Sequence, residues 1–295
     1  MKKDHVRQHY IPQFILKRFC YDGKNTLWFY DVKSKSISTA DKSNVFMERN
    51  LYRDITNNKD ELEIEKEFSK FEREISDILN KQFYNEKYIY ITLEEQEKIK
   101  LFYALMGFRS INTIDYYKNN HDEQFEKIFS QYQSDKDFEK LWKRNLKEIV
   151  KCRSFTEVSF NYNVDDLIWL LMLNDTTGPF GYIKIVETEK EEFILSDSYP
   201  IVEYGPNEKG FDVDYYALYP ISSKRAILLI YDGVEKNINF EDSILTKGFF
   251  TRPKVVDGKL EFYVKKMKDE QVDYFNQKIK ENAKIGIVSV SKNML

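Results

Sequence analysis

Only 2 of the 295 residues are cysteine, 10 are glycine, 6 are proline and 3 are histidine. Cys20 and Cys152 show no metal-ligand spacing, and a disulfide framework would need more of them, so reduced thiols in a cytoplasmic protein are the plain reading. The scarcity of Gly and Pro favours helices and short strands over a loop-rich sandwich. Neither sign of charge prevails: 46 basic against 49 acidic residues leave a net charge of -3, which gives no support to a global polyanion binder. No apolar run approaches the ~18–20 residues that a bilayer span needs. The opening MKKDHVRQHY has positive charge but no apolar stretch behind it, so no signal peptide is read. The chain is therefore expected to be soluble and cytoplasmic, with no membrane partner. A phosphate-binding Walker loop, a Gly-rich dinucleotide turn, a GxSxG elbow, a CxxC pair and an HExxH helix are all missing. Their absence removes the commonest nucleotide, ester and zinc-peptide chemistries.

What is present is an aromatic-rich globular sequence. Apolar residues make up 42% and aromatics 16%, with 22 Phe and 21 Tyr. That is enough to bury a substantial core and to exclude disorder as the class. NTLWFYD over residues 25–31, followed by a return across KSKS to about Thr39, reads as a β-hairpin. From Asp60 to about Phe83 the period becomes helical, with Ile64, Phe68, Phe71, Ile75, Ile78 and Gln82 forming a seam. Thr92 and Glu95 spell a capping box that opens a helix running to around Tyr117. Residues 122–133 and 135–150 read as two more amphipathic helices. Short strands are then expected at residues 182–188, 192–195, 201–204, 215–219 and 226–231. Asp257-Gly258 lies between two apolar-alternating arms over residues 255–264, a strong hairpin pattern. A closing helix is expected from Lys268 to about Ala283.

This order predicts an α+β fold: an N-terminal hairpin joined to a C-terminal, mainly antiparallel sheet, with a central block of about four helices. Neither an internal repeat nor a low-complexity linker is visible. We therefore expect one compact domain over 1–295, with a motif-plus-hairpin region (1–55), a helical block (60–175), a β-rich region (180–265) and the closing helix (268–283).

The segment His9 to Phe19, HYIPQFILKRF, concentrates a histidine, a proline of fixed φ, an apolar run and a basic pair. It resembles the start of a bacterial family known as domain of unknown function 4238, whose members open with a histidine, an aromatic, an aliphatic and then Pro-Gln-Phe, a leucine and Arg-Phe. The resemblance continues in order through the WFYD hairpin, NVFMERNLY over 44–52, a helical glutamate at Glu72, a helix ending in Arg109, and the loop LSDSYPIV. In that loop Ser198 and Tyr199 separate Asp197 from Pro200, where the family has one residue. Tyr219-Pro220-Ile221-Ser222 resembles a proline-serine strand opening of the family, which we take as structural. The family name implies no activity.

His9, Glu72, Arg109 and Asp197 are the candidate catalytic residues. Imidazole titrates near neutral pH, so His9 is a candidate base or metal ligand, against the plainer role of capping local backbone. His5, four residues earlier, pairs with it poorly because Pro12 and the terminal position disfavour a helix there. Glu65 and Glu72 lie seven apart on one helical face, and Glu72 sits among Phe68, Phe71 and Ile75, where a lone carboxylate is costly. Arg109 projects from the side of Phe102, Leu105 and Met106 and wants a bidentate acceptor, either Glu72 or a ligand phosphate. Asp197 falls between two strand-like runs, either as an Asx-turn or as a carboxylate presented at a strand end. His121, among Asn119, Asn120 and Asp122, reads as a cap, and Cys152 as an inert thiol.

His9, Glu72 and Asp197 together would suit Mg²⁺ or Mn²⁺ better than zinc. The expected function is therefore a phosphate-bond hydrolase, foremost a metal-dependent nuclease, in which Arg109 neutralises the scissile phosphate. A toxin or phage-defence role would fit such a protein. RNA or DNA is the expected partner. Lys140, Lys143, Arg144, Lys147, Lys151 and Arg153 around Trp142, and Lys2, Lys3, Arg7, Lys17 and Arg18 at the opening, offer basic patches, although solvated helix faces are the commoner outcome. Two rival readings stand beside it. One is a non-catalytic sensor or partner-binding module, with a structural Glu72–Arg109 pair and a contact surface built from the aromatics of KGFFTRPK, LEFYV and DYYALY. The other is metal-independent nucleotide or NAD⁺ chemistry, with Arg109 on phosphate and Glu72 on ribose or acting as a base.

Overall fold

The computed structural model describes residues 7–49, 51–52, 62–110, 123–132, 138–169, 180–206, 209–210 and 212–295. Its class is α+β, as the order of elements predicts. The opening motif forms β1 (Arg7–His9), which pairs antiparallel with β4 (Met47–Arg49), and then the short helix α1 (Gln13–Leu16). Pro12 stands at the N-cap of α1 with φ -59 and ψ 139, and its carbonyl accepts from the amides of Ile15 and Leu16. A proline fits there because its missing N–H is one that the first turn does not need. Ile11, Ile15, Leu16 and Phe19 are all buried.

The expected hairpin is β2 (Thr26–Asp31) and β3 (Ser36–Asp41), and it does join the C-terminal part of the chain. Its partner is β14 (Gly286–Ser289), which lies beyond the closing helix and which the sequence did not announce. The order β3-β2-β14-β7 is completed by β7 (Leu195–Ser196). Residues 192–194 are not strand, contrary to expectation: the Phe193 amide bonds Ser223 and the Ile194 amide bonds the Asn276 side chain, so no neighbouring strand is engaged.

The helical block holds α2 (Glu63–Gln82), α3 (Leu93–Phe108), α4 (Glu123–Tyr132), α5 (Phe138–Ile149) and the short α6 (Phe155–Ser159). In α2 the predicted seam is buried at Ile64, Phe68, Phe71, Ile75 and Ile78. Gln82 closes it differently, exchanging two hydrogen bonds with the Tyr90 backbone in β5 (Tyr88–Ile91). The capping box of α3 is present: Glu95 N–H donates to Thr92 Oγ1 at 3.1 Å and Thr92 N–H to Glu95 Oε2 at 2.9 Å. This helix is buried on all sides from Leu101 to Met106, and Arg109 caps its C-terminus. The predicted continuation to Tyr117 includes residues 111–117, which lie outside the described residues, as do His5 and His121.

The main sheet, in the order β13-β6-β10-β9-β8, comprises β6 (Gly181–Thr188), β8 (Ile201–Pro206), β9 (Asp212–Pro220), β10 (Arg225–Tyr231) and β13 (Lys265–Met267). Its pairings are antiparallel except β13 with β6. The period of two assigns its faces. Ile183, Ile185, Ile227 and Leu229 join the core shared with α2 and α3, whereas Tyr182, Val186, Leu228 and Ile230 pack in a second cluster against α7 (Asp269–Asn282). Pro220 ends β9 rather than opening a strand, and the Ser222 hydroxyl accepts from the Lys224 and Arg225 amides in the turn to β10. A third sheet joins β5, β12 (Lys259–Tyr263) and β11 (Lys254–Val256). The turn between β11 and β12 has φ 50 at Asp257 and φ 74 at Gly258, the paired positive values of a type I′ hairpin.

Two inner arrangements fasten helices to sheet. Arg225, 5% exposed, donates to the carbonyls of Phe83 and Glu86 just after α2 and to the Glu187 carboxylate. Asp197 fastens the chain after α7 and is described with the candidate site. Among the described residues no helix is long and apolar enough to cross a membrane.

Candidate functional site

The i, i+3 and i+7 positions of a helix share one face, so Glu65, Phe68 and Glu72 form a polar–aromatic–polar stripe on α2. Arg109 arrives against this stripe from the end of α3. Its Nη2 donates to Glu72 Oε1 at 2.9 Å, and its guanidinium carbon lies 4.3 Å from the centre of the Phe68 ring. The Tyr52 ring packs on the same phenylalanine at 5.4 Å and on Trp142 at 6.0 Å. Gln8, in β1, fixes Tyr52 by accepting its backbone amide at 2.8 Å. Five separate pieces of chain thus meet in the cluster built on Phe68: β1, Tyr52, α2, the end of α3 and α5.

Electrostatics distinguishes the members. Burial raises the Glu65 pKa to about 7, with the neighbouring Glu72 charge adding to the rise and Arg109 opposing it. Burial also raises the Glu72 pKa, against the pull of Arg109. Burial works against the Arg109 charge, but Tyr52, Glu72 and Glu65 more than offset it and hold the guanidinium above its ordinary value. Arg109 is 1% exposed, and among the described residues its Nε finds no hydrogen-bond partner. The Tyr52 hydroxyl, equally buried, also has none. Buried groups left unpaired cost about 1–3 kcal/mol each, so they are exceptions worth explaining.

Glu65 and Glu72 both keep some exposure, Glu72 with 24% of its side chain in solvent, and Glu65 faces the larger opening. It lines an open depression of about 560 Å³ together with Leu62, Lys66, Ser69, Arg73 and two further carboxylates, Glu63 and Glu67. Lys66 and Arg73 are exposed there. The neighbouring Lys70 is instead neutralised by Glu67 at 2.6 Å.

His9 lies at the edge of this cluster. Its pKa is lowered, first by burial and then by the charges of Arg109, Lys42 and Arg7, against a hydrogen bond that raises it. That contact, Nε2 to the Ser43 carbonyl at 3.3 Å, requires Nε2 to carry the proton and leaves the lone pair on Nδ1, an assignment made from the network. Gln13 Nε2 stands 3.5 Å from the same nitrogen. Gln13 Oε1 accepts from Lys42 Nζ.

Asp197 has a different duty. Its side chain is fully buried, Oδ1 accepts from the amides of Ile285 at 3.0 Å and Gly286 at 2.9 Å, and Oδ2 accepts from Lys284 at 3.1 Å. The carboxylate therefore holds the start of β14 against β7. Three backbone donors thus engage the carboxylate that was expected as a presented metal ligand, which favours the structural turn role that the sequence offered beside it. Glu72 is likewise engaged by a cation, which disfavours a second cation beside it. Among the described residues no group of three or more His, Cys, Asp or Glu side chains could hold a metal ion. His9, Glu72 and Asp197 thus do not form the ligand set expected of them.

The other sequence candidates resolve into structure. Around α5, Lys143 pairs with Glu139, Arg144 with Asp165, Lys147 and Lys151 with Glu63, and Arg153 with Glu74, so that basic face is largely neutralised. Trp142 is buried with its Nε1 donating to the Phe108 carbonyl, and so cannot stack a base. Phe249, Phe250, Phe262, Tyr216 and Tyr219 are core residues, which removes them from the proposed contact surface. Cys20 and Cys152 are buried free thiols with raised pKa values, that of Cys20 pushed up to about 11 by burial first and nearby Asp22 second.

Comparison places the chain where its motifs pointed: it belongs to the family described as Protein of unknown function (DUF4238), whose profile matches residues 7–293. No curated protein and no solved structure was found to match it. Tyr52 and the protonatable Glu65 are the members that the motif residues did not single out. The available signals were the i, i+7 spacing of Glu65 to Glu72 and the placement of Tyr52 within the NVFMERNLY element.

Proposed function

We propose that this protein hydrolyses phosphate bonds, with polynucleotides and nucleotides the first substrates to try, and that it does so by acid–base chemistry at Glu65 beside Arg109. One observation carries the reading: a carboxyl with a pKa near 7 opens on a depression flanked by Lys66 and Arg73, next to a buried guanidinium with an unused donor. A general acid or base works best with its pKa near the working pH, and a guanidinium in a low-dielectric site stabilises developing phosphate charge strongly. Lys66 and Arg73 would meet an anionic substrate there, since the neighbouring carboxylates Glu63 and Glu67 are already paired with Lys147, Lys151 and Lys70.

In this scheme Glu65 exchanges the proton, Arg109 neutralises the phosphoryl oxygens, and Glu72 keeps the guanidinium charged and oriented. His9, neutral with its Nδ1 lone pair available, is a second proton acceptor at the edge. The metal-dependent form of this chemistry needs His9, Glu72 and Asp197 in one coordination sphere, and the engagements of Glu72 and Asp197 speak against that set. No step is therefore routed through a metal. The test is cleavage of RNA, single-stranded DNA and dinucleotides, each with Mg²⁺ and with EDTA. Turnover should survive EDTA and show a pH limb near 7 that disappears in Glu65→Gln. Absence of turnover on every substrate, or an unaltered Glu65→Gln enzyme, sinks the proposal.

A second reading has its own support. Arg109 is 1% exposed and already paired with Glu72, so the motif residues could serve the fold alone, in a non-catalytic binding module. In that case Glu65→Gln would change stability with pH and leave every assay silent.

A further inference from the structure

We propose that the solvent face of the three-stranded sheet β5-β12-β11 binds single-stranded nucleic acid. The inference does not rest on the hydrolase reading, because it concerns binding at a surface apart from Glu65. The period of two buries Ile89, Ile91, Leu260 and Phe262 on the inner face and leaves the outer one to solvent. On that outer face Tyr263 stands directly across from Tyr88, and Glu261 lies between Tyr90 and Lys254. Tyr88 and Tyr263 are 47% and 42% exposed, and their ring centres lie 5.4 Å apart. The rings are tilted by 59°, so they do not cover each other face to face. A cross-strand pair of this kind steadies a sheet, and two half-exposed rings side by side are also what base stacking uses. Charge favours the second role. Lys87 Nζ lies 5.5 Å from the centre of the Tyr263 ring, and Lys87, Lys254 and Lys259 are all exposed. None of these lysines forms an ion pair among the described residues. The carboxylates of the sheet are Glu261, whose Oε2 accepts from the Tyr90 hydroxyl at 2.8 Å, and Asp257 at the hairpin tip. Around Trp142, by contrast, Lys143, Lys147 and Lys151 are paired and the indole is buried. A partner that brings phosphates to unpaired lysines and flat rings to tyrosines is a single-stranded polynucleotide, since a duplex hides its base faces.

The experiment uses the full chain, with labelled oligouridine, oligothymidine and a duplex of equal length as probes. Fluorescence anisotropy is read over a range of salt, at times before any cleavage. The wild type should bind both single strands and hold the duplex more weakly. The double variant Tyr88→Thr/Tyr263→Thr, which keeps good strand formers at both positions, should weaken single-strand binding about tenfold or more. Lys254→Gln/Lys259→Gln should lower the slope of log affinity against log salt by about 1.4, the share of two phosphate contacts on a single strand. Thermal unfolding separates misfolding from lost contacts, and the exposed lysine pair tests the face even where the tyrosine variant is destabilised. Absence of binding at low salt, equal single-strand affinity in the wild type and both variants, or a duplex held as tightly as the single strands overturns the proposal. A wild-type dimer that the tyrosine variant breaks assigns the face to a second copy of the chain and overturns it too. Binding without cleavage of any probe supports this inference and rejects the hydrolase reading, whereas cleavage without binding at this face does the reverse.

Discussion

Two buried polar regions of this molecule look alike in sequence and differ in their hydrogen-bond accounts. At the seam between helices and sheets, Arg225 spends its donors on two carbonyls and a carboxylate, and Asp197 accepts from three consecutive backbone amides. Around Phe68, Arg109 meets one carboxylate and keeps Nε unused, Tyr52 keeps its hydroxyl unused, and Glu65 has been driven to a pKa of about 7. The first region is saturated and reads as architecture. The second carries unspent hydrogen-bonding capacity and a perturbed acid, the combination that marks candidate sites. Burial and charge alone do not separate structural from functional polar residues, and unpaired capacity alone does not either, since the buried Tyr182 and Tyr219 hydroxyls also lack a partner; at Phe68 it coincides with a perturbed acid beside an open depression.

The largest effect should come from the saturated region. Asp197→Ala strands three backbone amides at the start of β14 and is expected to cost roughly 3–6 kcal/mol. The urea midpoint should fall accordingly, with no change in activity per folded molecule. If the variant unfolds normally and loses only activity, the distinction between the regions fails.

Next comes Arg109→Ala, which leaves Glu72 without its cation and should destabilise by about 3–5 kcal/mol. Adding Glu72→Leu to Arg109→Ala should recover part of that loss, because neither charge is then left without its partner. A double-mutant cycle measures this directly, and strict additivity would mean that the two side chains do not couple.

The smallest effect sharpens the comparison most. Glu65 binds its proton more tightly in the folded chain, where its pKa is about 7, than in the unfolded chain, where the ordinary value is 4.5. Its stabilising contribution is therefore complete below pH 4.5 and is lost as the pH rises to about 7. Discounted for its partial solvation, the loss is on the order of 1–2 kcal/mol. Glu65→Gln should thus be more stable than wild type at pH 8 and no more stable at pH 4.5. His9 acts in the opposite sense, because its lowered pKa removes stability as the pH falls, so the comparison is made variant against wild type at each pH. Identical stability curves for the two proteins would remove the perturbed acid from the site.

Much of this was legible before the fold was known, and for local reasons. The capping box at Thr92, the apolar seam of α2 and the Asp257-Gly258 turn each depend on residues a few positions apart, so their physics is written within one segment. The pairing of Glu72 with Arg109 was legible as one of two alternatives, since a buried carboxylate and a buried guanidinium each need an opposite charge. The role of Asp197 was not. Its partners, Lys284, Ile285 and Gly286, lie nearly ninety residues away on a strand whose four residues carry no strong pattern of their own. The pairing of Lys147, Lys151 and Arg153 was hidden for a related reason: their countercharges Glu63 and Glu74 sit on a different helix.

The sequence by itself determined the class of fold, the family, and which side chains must be buried against their chemistry, because periodicity, capping and turn preference act over a few residues. Only the tertiary structure decided which of those buried groups are satisfied. Hydrogen-bond saturation and pKa depend on partners brought together from distant segments, and at Phe68 that meeting left Glu65, Tyr52 and Arg109 with capacity to spare.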